Sequence, residues 1–242
     1  MNSEPLAEKL VLWIKDKVSA AGCRGVVVGM SGGLDSSVVA VLCQQAFPQN
    51  TLGVIMPCHS QPEDKAHAQA VASKFSISTT KVVLDDIFSA LLQALPDYKA
   101  DATANHIAQA NLKVRLRMLT MYYVANQRGY MVAGSSNRSE ISVGYFTKYG
   151  DGGVDIMPLG NLVKTQVREL ARFLDIPQPI IDKPPSAGLW QGQTDEGELG
   201  FSYDELDGYL LTGEVSGKVR EKIESMIAAS AHKRLLPPIP SF

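Results

Sequence analysis

The sequence predicts an α/β fold, a doubly wound parallel sheet with helices on both faces. Three observations carry that prediction. Short apolar, β-branched runs alternate along the chain with segments of helical period. The first of those runs ends in a Gly-rich turn that opens directly into a helix, Met30-Ser31-Gly32-Gly33-Leu34-Asp35-Ser36-Ser37. The 242 residues carry no internal repeat and no low-complexity linker, which favours a single domain over 1–242.

Each element has its own reason. Leu6, Leu10, Trp13, Ile14 and Val18 recur at helical spacing, so residues 5–21 read as a helix, with Pro5 in its first turn and Gly22 as its stop. Residues 25–29 read as a strand, and the helix after the Gly-rich turn runs to about 46, where Phe47-Pro48-Gln49-Asn50 breaks it. Residues 51–56 form a second buried strand ending at Pro57; a helix follows over about 62–75, then a strand over 79–84. Asp85-Asp86 opens a short helix, 86–95, and a long one spans about 103–128 before Gly129. Residues 130–133 make the next strand, ending in Gly134-Ser135-Ser136-Asn137. Segments 30–37, 57–61 and 134–153 read as loops after strands, at the sheet end where such folds bind ligands.

The second half is less regular. Residues 164–175 form a helix, and 176–201 read as a long loop rich in proline and glycine. Its 190–201 portion has the glycines and acidic residues of a lid. Ser202 and Glu205 make a capping box for a helix to about 212. Ser216 opens a last helix with Val219, Ile223, Met226 and Ile227 on its apolar face; His232-Lys233-Arg234 lies at its end, and 237–240 is extended.

Composition excludes several classes. A net charge of −2 gives no global electrostatic case for nucleic acid, although Lys113, Arg115 and Arg117 suit a phosphorylated ligand. No apolar run reaches membrane-spanning length, and the N-terminal segment is amphipathic rather than a signal peptide. Cys23, Cys43 and Cys58 are odd in number and form no C-x-x-C, so a thiolate metal site has no support and a reducing cytoplasm is expected.

The Gly-rich turn carries the chemistry. Its glycines let the backbone approach an anion, its serines offer hydroxyls, and the helix start offers unpaired N–H groups. It is neither a Walker A loop nor a G-x-G-x-x-G fingerprint. Instead a carboxylate, Asp35, sits among the phosphate donors, which argues for a bridging Mg²⁺. The plain alternative is a capped strand-to-helix turn.

The string Ser-Gly-Gly-x-Asp-Ser resembles the pyrophosphate-binding loop of the ATP pyrophosphatases, which split ATP into AMP and pyrophosphate. Further strings resemble the NAD⁺ synthetase family in particular: 144–153 (GYFTKYGDGG) running into 154–159, 134–140 (GSSNRSE), 111–118 (NLKVRLRM), 183–189 (KPPSAGL) and 195–200 (DEGELG) running into Ser202-Tyr203. The resemblance covers about residues 5–236. It implies a Rossmann-like ATP pyrophosphatase fold and an ammonia-dependent synthesis of NAD⁺: ATP adenylates the carboxylate of deamido-NAD⁺, and ammonia displaces AMP.

The resemblance also implies roles. Gly29, Met30, Ser31, Gly32, Gly33, Leu34, Asp35 and Ser36 would hold ATP, with Ser135, Lys164 and Ser186; the two serines outside the loop stand where the family commonly has threonine. Asp35 and Glu140 would hold Mg²⁺. Taken alone, Glu140 reads as a surface glutamate, and Lys164 as a lysine at a helix start where the dipole disfavours it. Arg115, Lys148, Asp155, His232 and Lys233 would hold deamido-NAD⁺; Asp155 reads equally as a turn cap. Asp151 would position ammonia or the adenylate. A homodimer is implied, with Tyr122 and Tyr123 either in the subunit contact or in the core. The chain begins within a few residues of the synthetase core, so no amidase domain is expected; a separate glutaminase stays open. The competing readings are another ligase of the ATP pyrophosphatase type, acting on a different carboxylate or carbonyl, and a catalytically silent nucleotide sensor.

Overall fold

Val26 and Val28 face one apolar layer and Val27 the other, the period-2 alternation of a strand buried on both sides. They belong to β1 at the middle of the sheet. In this computed structural model, which describes residues 2–96, 98–99, 101–190 and 192–241, the strands are β1 (Val26–Gly29), β2 (Thr51–Ile55), β3 (Ser78–Lys81) and β4 (Met131–Ala133). All pairings are parallel, in the order β3-β2-β1-β4. A parallel bridge between Ala133 and Ile156 prolongs the sheet beyond β4.

The helices are α1 (Ser3–Ala20), α2 (Leu34–Ala46), α3 (Pro62–Lys74), α4 (Asp85–Ala94), α5 (Ala102–Arg128), α6 (Arg138–Val143), α7 (Lys164–Phe173), α8 (Gln178–Asp182), α9 (Asp195–Leu199), α10 (Tyr203–Thr212) and α11 (Gly217–Ala229), followed by a 3₁₀ turn, Ala231–Lys233. Ile14, Val39, Val71, Leu170 and Ile180, from α1, α2, α3, α7 and α8, share one core layer. Phe88 of α4 and Leu116, Met121 and Ala125 of α5 close the other face. The sheet is therefore wound on both sides. A third cluster joins Val143, Leu199, Tyr203, Leu206 and Ile223, so α6, α9, α10 and α11 pack as a helical annex.

Three expectations need correction. The strand expected at 79–84 is regular only over Ser78–Lys81; beyond it the N–H groups of Val82 and Leu84 still donate to the Ile55 and Pro57 carbonyls, at 3.0 and 2.8 Å, and Leu84 is buried with Phe88 of α4. The loop expected at 134–153 contains α6. Asn137 accepts from the backbone N–H of Glu140 at 3.0 Å, and the Glu140 carboxylate accepts from the Asn137 N–H at 3.2 Å. That reciprocal cap makes a one-and-a-half-turn helix stable in the middle of a Gly- and Ser-rich stretch. The loop expected at 176–201 contains α8 and α9, each anchored by buried apolar residues, Ile180 and Ile181 in one and Leu199 in the other. Gln191, within the lid-like segment, lies outside the described residues.

Candidate active site

At the carboxyl ends of β1 and β4, two acids meet one base. The Lys164 ammonium lies 2.5 Å from Asp35 Oδ2 and 3.2 Å from Glu140 Oε1. Each partner arrives from a different element: Asp35 from the first turn of α2, Glu140 from the first turn of α6, Lys164 from the first turn of α7. The Lys164 side chain is only 4% exposed and each carboxylate 15%. Burial works against charge on Lys164, but the two acids overcome it and its pKa rises. Burial pushes Glu140 up to about 8, against the opposing pull of Lys164.

The surroundings hold these groups in place. Asn137 Nδ2 donates to Asp35 Oδ1 at 2.8 Å, so one side chain both caps α6 and orients the acid on α2. Buried Asp207 of α10 accepts from the backbone N–H of Thr165 at 2.7 Å and from the Ser139 hydroxyl at 2.5 Å. That acid at the start of α7 offsets the helix dipole that would otherwise disfavour Lys164. Beneath the ammonium lies the ring of fully buried Tyr203, 5.1 Å from centroid to Nζ. The Tyr203 hydroxyl donates to Asp195 at 3.0 Å, and Tyr145 donates to the same acid at 3.1 Å.

The glycine-rich loop forms the adjoining wall. Gly32 has φ +83°, and a Cβ there would lie 2.0 Å from the Asp64 carbonyl oxygen, so only glycine fits. Ser36 and Ser37 hydroxyls donate to the Gly33 carbonyl at 3.0 and 2.7 Å, and Ser31 and Ser36 share a 2.9 Å bond. The loop is pre-shaped, with the N-terminus of the thirteen-residue α2 behind it.

Loop, acids and base line one cavity of about 820 Å³, large for a small-molecule pocket. Gly29, Met30, Ser31, Gly33, Leu34, Asp35 and Ser36 line it, as do Ser135, Glu140, Asp151, Lys164, Ser186 and Lys233. Asp151 also closes its own turn, accepting from the Thr147 N–H at 2.7 Å, and burial raises its pKa. Arg115, Lys148, Asp155 and His232 do not line the cavity. Arg115 donates to the Lys148 carbonyl, and Lys148 Nζ to the His232 carbonyl at 2.5 Å, so these three form one rim, with Lys148 half-buried between its exposed neighbours. Asp155 accepts from Tyr122 Oη at 2.9 Å and from the Val132 N–H at 2.8 Å, pinning the chain beside β4. Tyr122 is thereby half-buried, whereas Tyr123 is 64% exposed.

Sequence reasoning missed several cavity residues. Arg117, whose Nε donates to the Met56 carbonyl at 3.2 Å, stands in the basic cluster and in the 111–118 string, neither of which gives it a role of its own. Asp64, Arg168 and Lys183 also line the cavity; Lys183 opens the 183–189 string, whereas nothing in the spacing marks Asp64 or Arg168. The helix under Glu140 did have a signal, the N-x-x-E cap at 137–140.

A sequence profile of the NAD synthase family matches residues 6–237. The chain is 49% identical over 240 residues to the NH(3)-dependent NAD(+) synthetase of Carboxydothermus hydrogenoformans, covering 99% of this chain and 98% of that protein. It is 47% identical to the enzyme of the same description from Syntrophomonas wolfei, over 99% and 96% of the two. Among solved structures it resembles the NMN synthetase of Francisella tularensis, with TM-score 0.93, 38% identity and full coverage of both chains. It also resembles the NH3-dependent NAD synthetase of Campylobacter jejuni, at TM-score 0.83 and 25% identity over the whole of both chains. The NAD+ synthetase of Burkholderia pseudomallei gives TM-score 0.79 and 30% identity over 98% of this chain and 91% of that one. With a parallel sheet, a Ser-Gly-Gly-x-Asp-Ser loop at its carboxyl end and relatives aligned from end to end, this chain belongs to the NAD synthase family.

Proposed function

We propose that the chain is an ammonia-dependent NAD⁺ synthetase that adenylates deamido-NAD⁺ with ATP. The observation that carries this reading is the convergence of Asp35 and Glu140 on one point beside the glycine-rich loop. The Lys164 ammonium holds that point. Among the described residues no set of three or more His, Cys, Asp or Glu side chains could hold a metal by itself. Two hard carboxylates with an open side suit Mg²⁺ that arrives with substrate phosphates. Bound there by Asp35 and Glu140, Mg²⁺ would neutralise phosphate charge.

The chain's own groups do the rest. The loop N–H groups and serine hydroxyls, with Ser135 and Ser186, grip the triphosphate, and Lys164 moves its charge onto the α-phosphate. An oxygen of the acceptor carboxylate bonds to the α-phosphorus as the bond to the α,β-bridging oxygen breaks, and pyrophosphate leaves with that electron pair. Ammonia then bonds to the acyl carbon, AMP leaves with the carbon–oxygen pair, and the nitrogen gives up a proton. We assign Asp151, the cavity acid nearest the Lys233 wall, to the nitrogen step. No protein nucleophile is needed; the work is positioning and charge neutralisation.

A second acceptor has support. Of the three solved structures compared, the one described as an NMN synthetase has the highest TM-score and identity. The rim groups Arg115, Lys148 and His232, which would hold the distant half of a dinucleotide, lie outside the cavity. Nicotinate mononucleotide therefore competes as acceptor. We also infer a homodimer, in which the exposed Leu119 and Tyr123 of α5 meet a second copy, and a cytoplasmic location consistent with three free cysteines. Light scattering of the purified protein tests the dimer.

The decisive assay supplies ATP, Mg²⁺ and ammonium or glutamine with either acceptor. Equimolar AMP and amide product with ammonium alone supports the reading, and the kcat/KM ratio for the two acceptors ranks them. No AMP with either acceptor would sink it.

A further inference from the structure

We propose that Arg168 and Lys183 together seat the β- and γ-phosphates of ATP and the pyrophosphate they become. The inference rests on the ATP-cleaving reading above and names the residues that receive its leaving group. The charge balance requires such residues. Lys164 is already committed to two carboxylates, so that trio with one Mg²⁺ would carry only about one net positive charge against the roughly four negative charges of a triphosphate. More cation must line the same cavity.

Arg168 meets that requirement. It lies four residues after Lys164 on α7, one helical turn along the same face, and it lines the cavity. The other half-buried arginines, Arg117, Arg138 and Arg234, spend their guanidinium groups on backbone carbonyls. Among the described residues Arg168 has neither a hydrogen bond nor an ion pair. A half-buried fork of five donors, without an acceptor among the described residues and lining the same cavity as the glycine-rich loop, suits bidentate capture of a phosphate.

Lys183 is held in reserve on the same wall. Its ammonium lies 2.6 Å from Asp64 Oδ1 and 3.6 Å from Glu63 Oε2. Asp64 in turn abuts the phosphate loop, its carbonyl oxygen against Gly32, and its carboxylate lies near Gly188. Lys183 thus sits one side chain away from the loop, on the same strap as Ser186. A phosphate in the loop offers Lys183 a stronger partner than Asp64. As the bond between the α-phosphorus and the bridging oxygen breaks, negative charge grows on the pyrophosphate, where both cations bind it more tightly than in ATP itself.

Calorimetric titration with inorganic pyrophosphate in Mg²⁺, with ATP and AMP as companions, tests this. R168M and K183M should each weaken pyrophosphate at least about tenfold, the scale of a lost charged hydrogen bond, with AMP affinity unchanged. D64N, which frees Lys183, should match or exceed wild type for pyrophosphate. A merely structural Lys183–Asp64 pair would instead make K183M and D64N alike, and that result overturns the role of Lys183. Pyrophosphate affinity equal to wild type in both methionine variants, with unchanged melting temperature, overturns the seat altogether. Should the methionine variants fail to fold, R168Q and K183Q carry the same test. Wild-type protein that binds neither ATP nor pyrophosphate defeats the ATP-cleaving reading itself, whereas wild type that binds both while every variant matches it defeats only this inference.

Discussion

The centre of the site and its rim are built by different rules. At the centre, Asp35, Glu140 and Lys164 come from three helices and are buried, and every one is oriented by a further side chain or helix start. At the rim, exposed Arg115 and His232 and half-buried Lys148 hold one another through main-chain carbonyls. Buried charges tolerate no missing partner, whereas exposed cations exchange one acceptor for another at little cost. The centre is therefore pre-formed for a fixed task, and the rim is adjustable. That difference suits a conserved reaction at one end of a substrate whose other end varies.

The comparison breaks most sharply at the centre. Asp35→Asn and Glu140→Gln should each lower AMP formation on the order of 10²–10³-fold with the fold retained by circular dichroism. Unchanged turnover in either variant would remove that acid from the proposed Mg²⁺ site. Lys164→Met strands two buried acids and should cost about 3–5 kcal/mol of stability, read by urea unfolding; wild-type stability would mean that the acids find other partners.

The pH dependence of metal-free protein sharpens the same point. Glu140 has a folded pKa of about 8, against an ordinary 4.5. Between those values the folded state binds a proton that the unfolded state has lost, so stability falls as pH rises through that window. The burial-raised Asp151 and Asp195 act in the same direction. Melting temperature should therefore decline from pH 5 to pH 8, less steeply in Glu140→Gln. An identical slope in that variant would assign the effect to the other acids. The smallest effects belong to the rim. Arg115→Ala and His232→Ala should leave melting temperature near wild type and change kcat/KM only severalfold, by about the 0–1 kcal/mol of exposed ionic contacts. The loss should be greater with deamido-NAD⁺ than with nicotinate mononucleotide. Equal losses with both acceptors would place the rim in general structural support.

What could be read from the chain alone is what local chemistry decides. Apolar runs such as Val26-Val27-Val28 and their alternation with helical periods specify a parallel sheet, because a strand buried on both faces must be apolar throughout. Gly32, Gly33 and Asp35 specify a tight glycine-rich loop with an acid at its helix start, because backbone freedom and charge are properties of the residues themselves. Even α6 was legible in principle, through the cap from Asn137 to Glu140.

Only the tertiary structure decided who stands opposite whom. Lys164 is 129 residues from Asp35 in sequence and 2.5 Å away in space, and no spacing rule spans that distance. Nor could the sequence tell that Asp207 would cap α7, that Asp155 would accept from Tyr122 and the edge of β4, or that Arg168 would find no hydrogen-bond or ionic partner among the described residues. An exposed charge and a buried one are written with the same letters. Burial, desolvation and pairing assign their roles, and those are set by the packing of elements far apart in the chain.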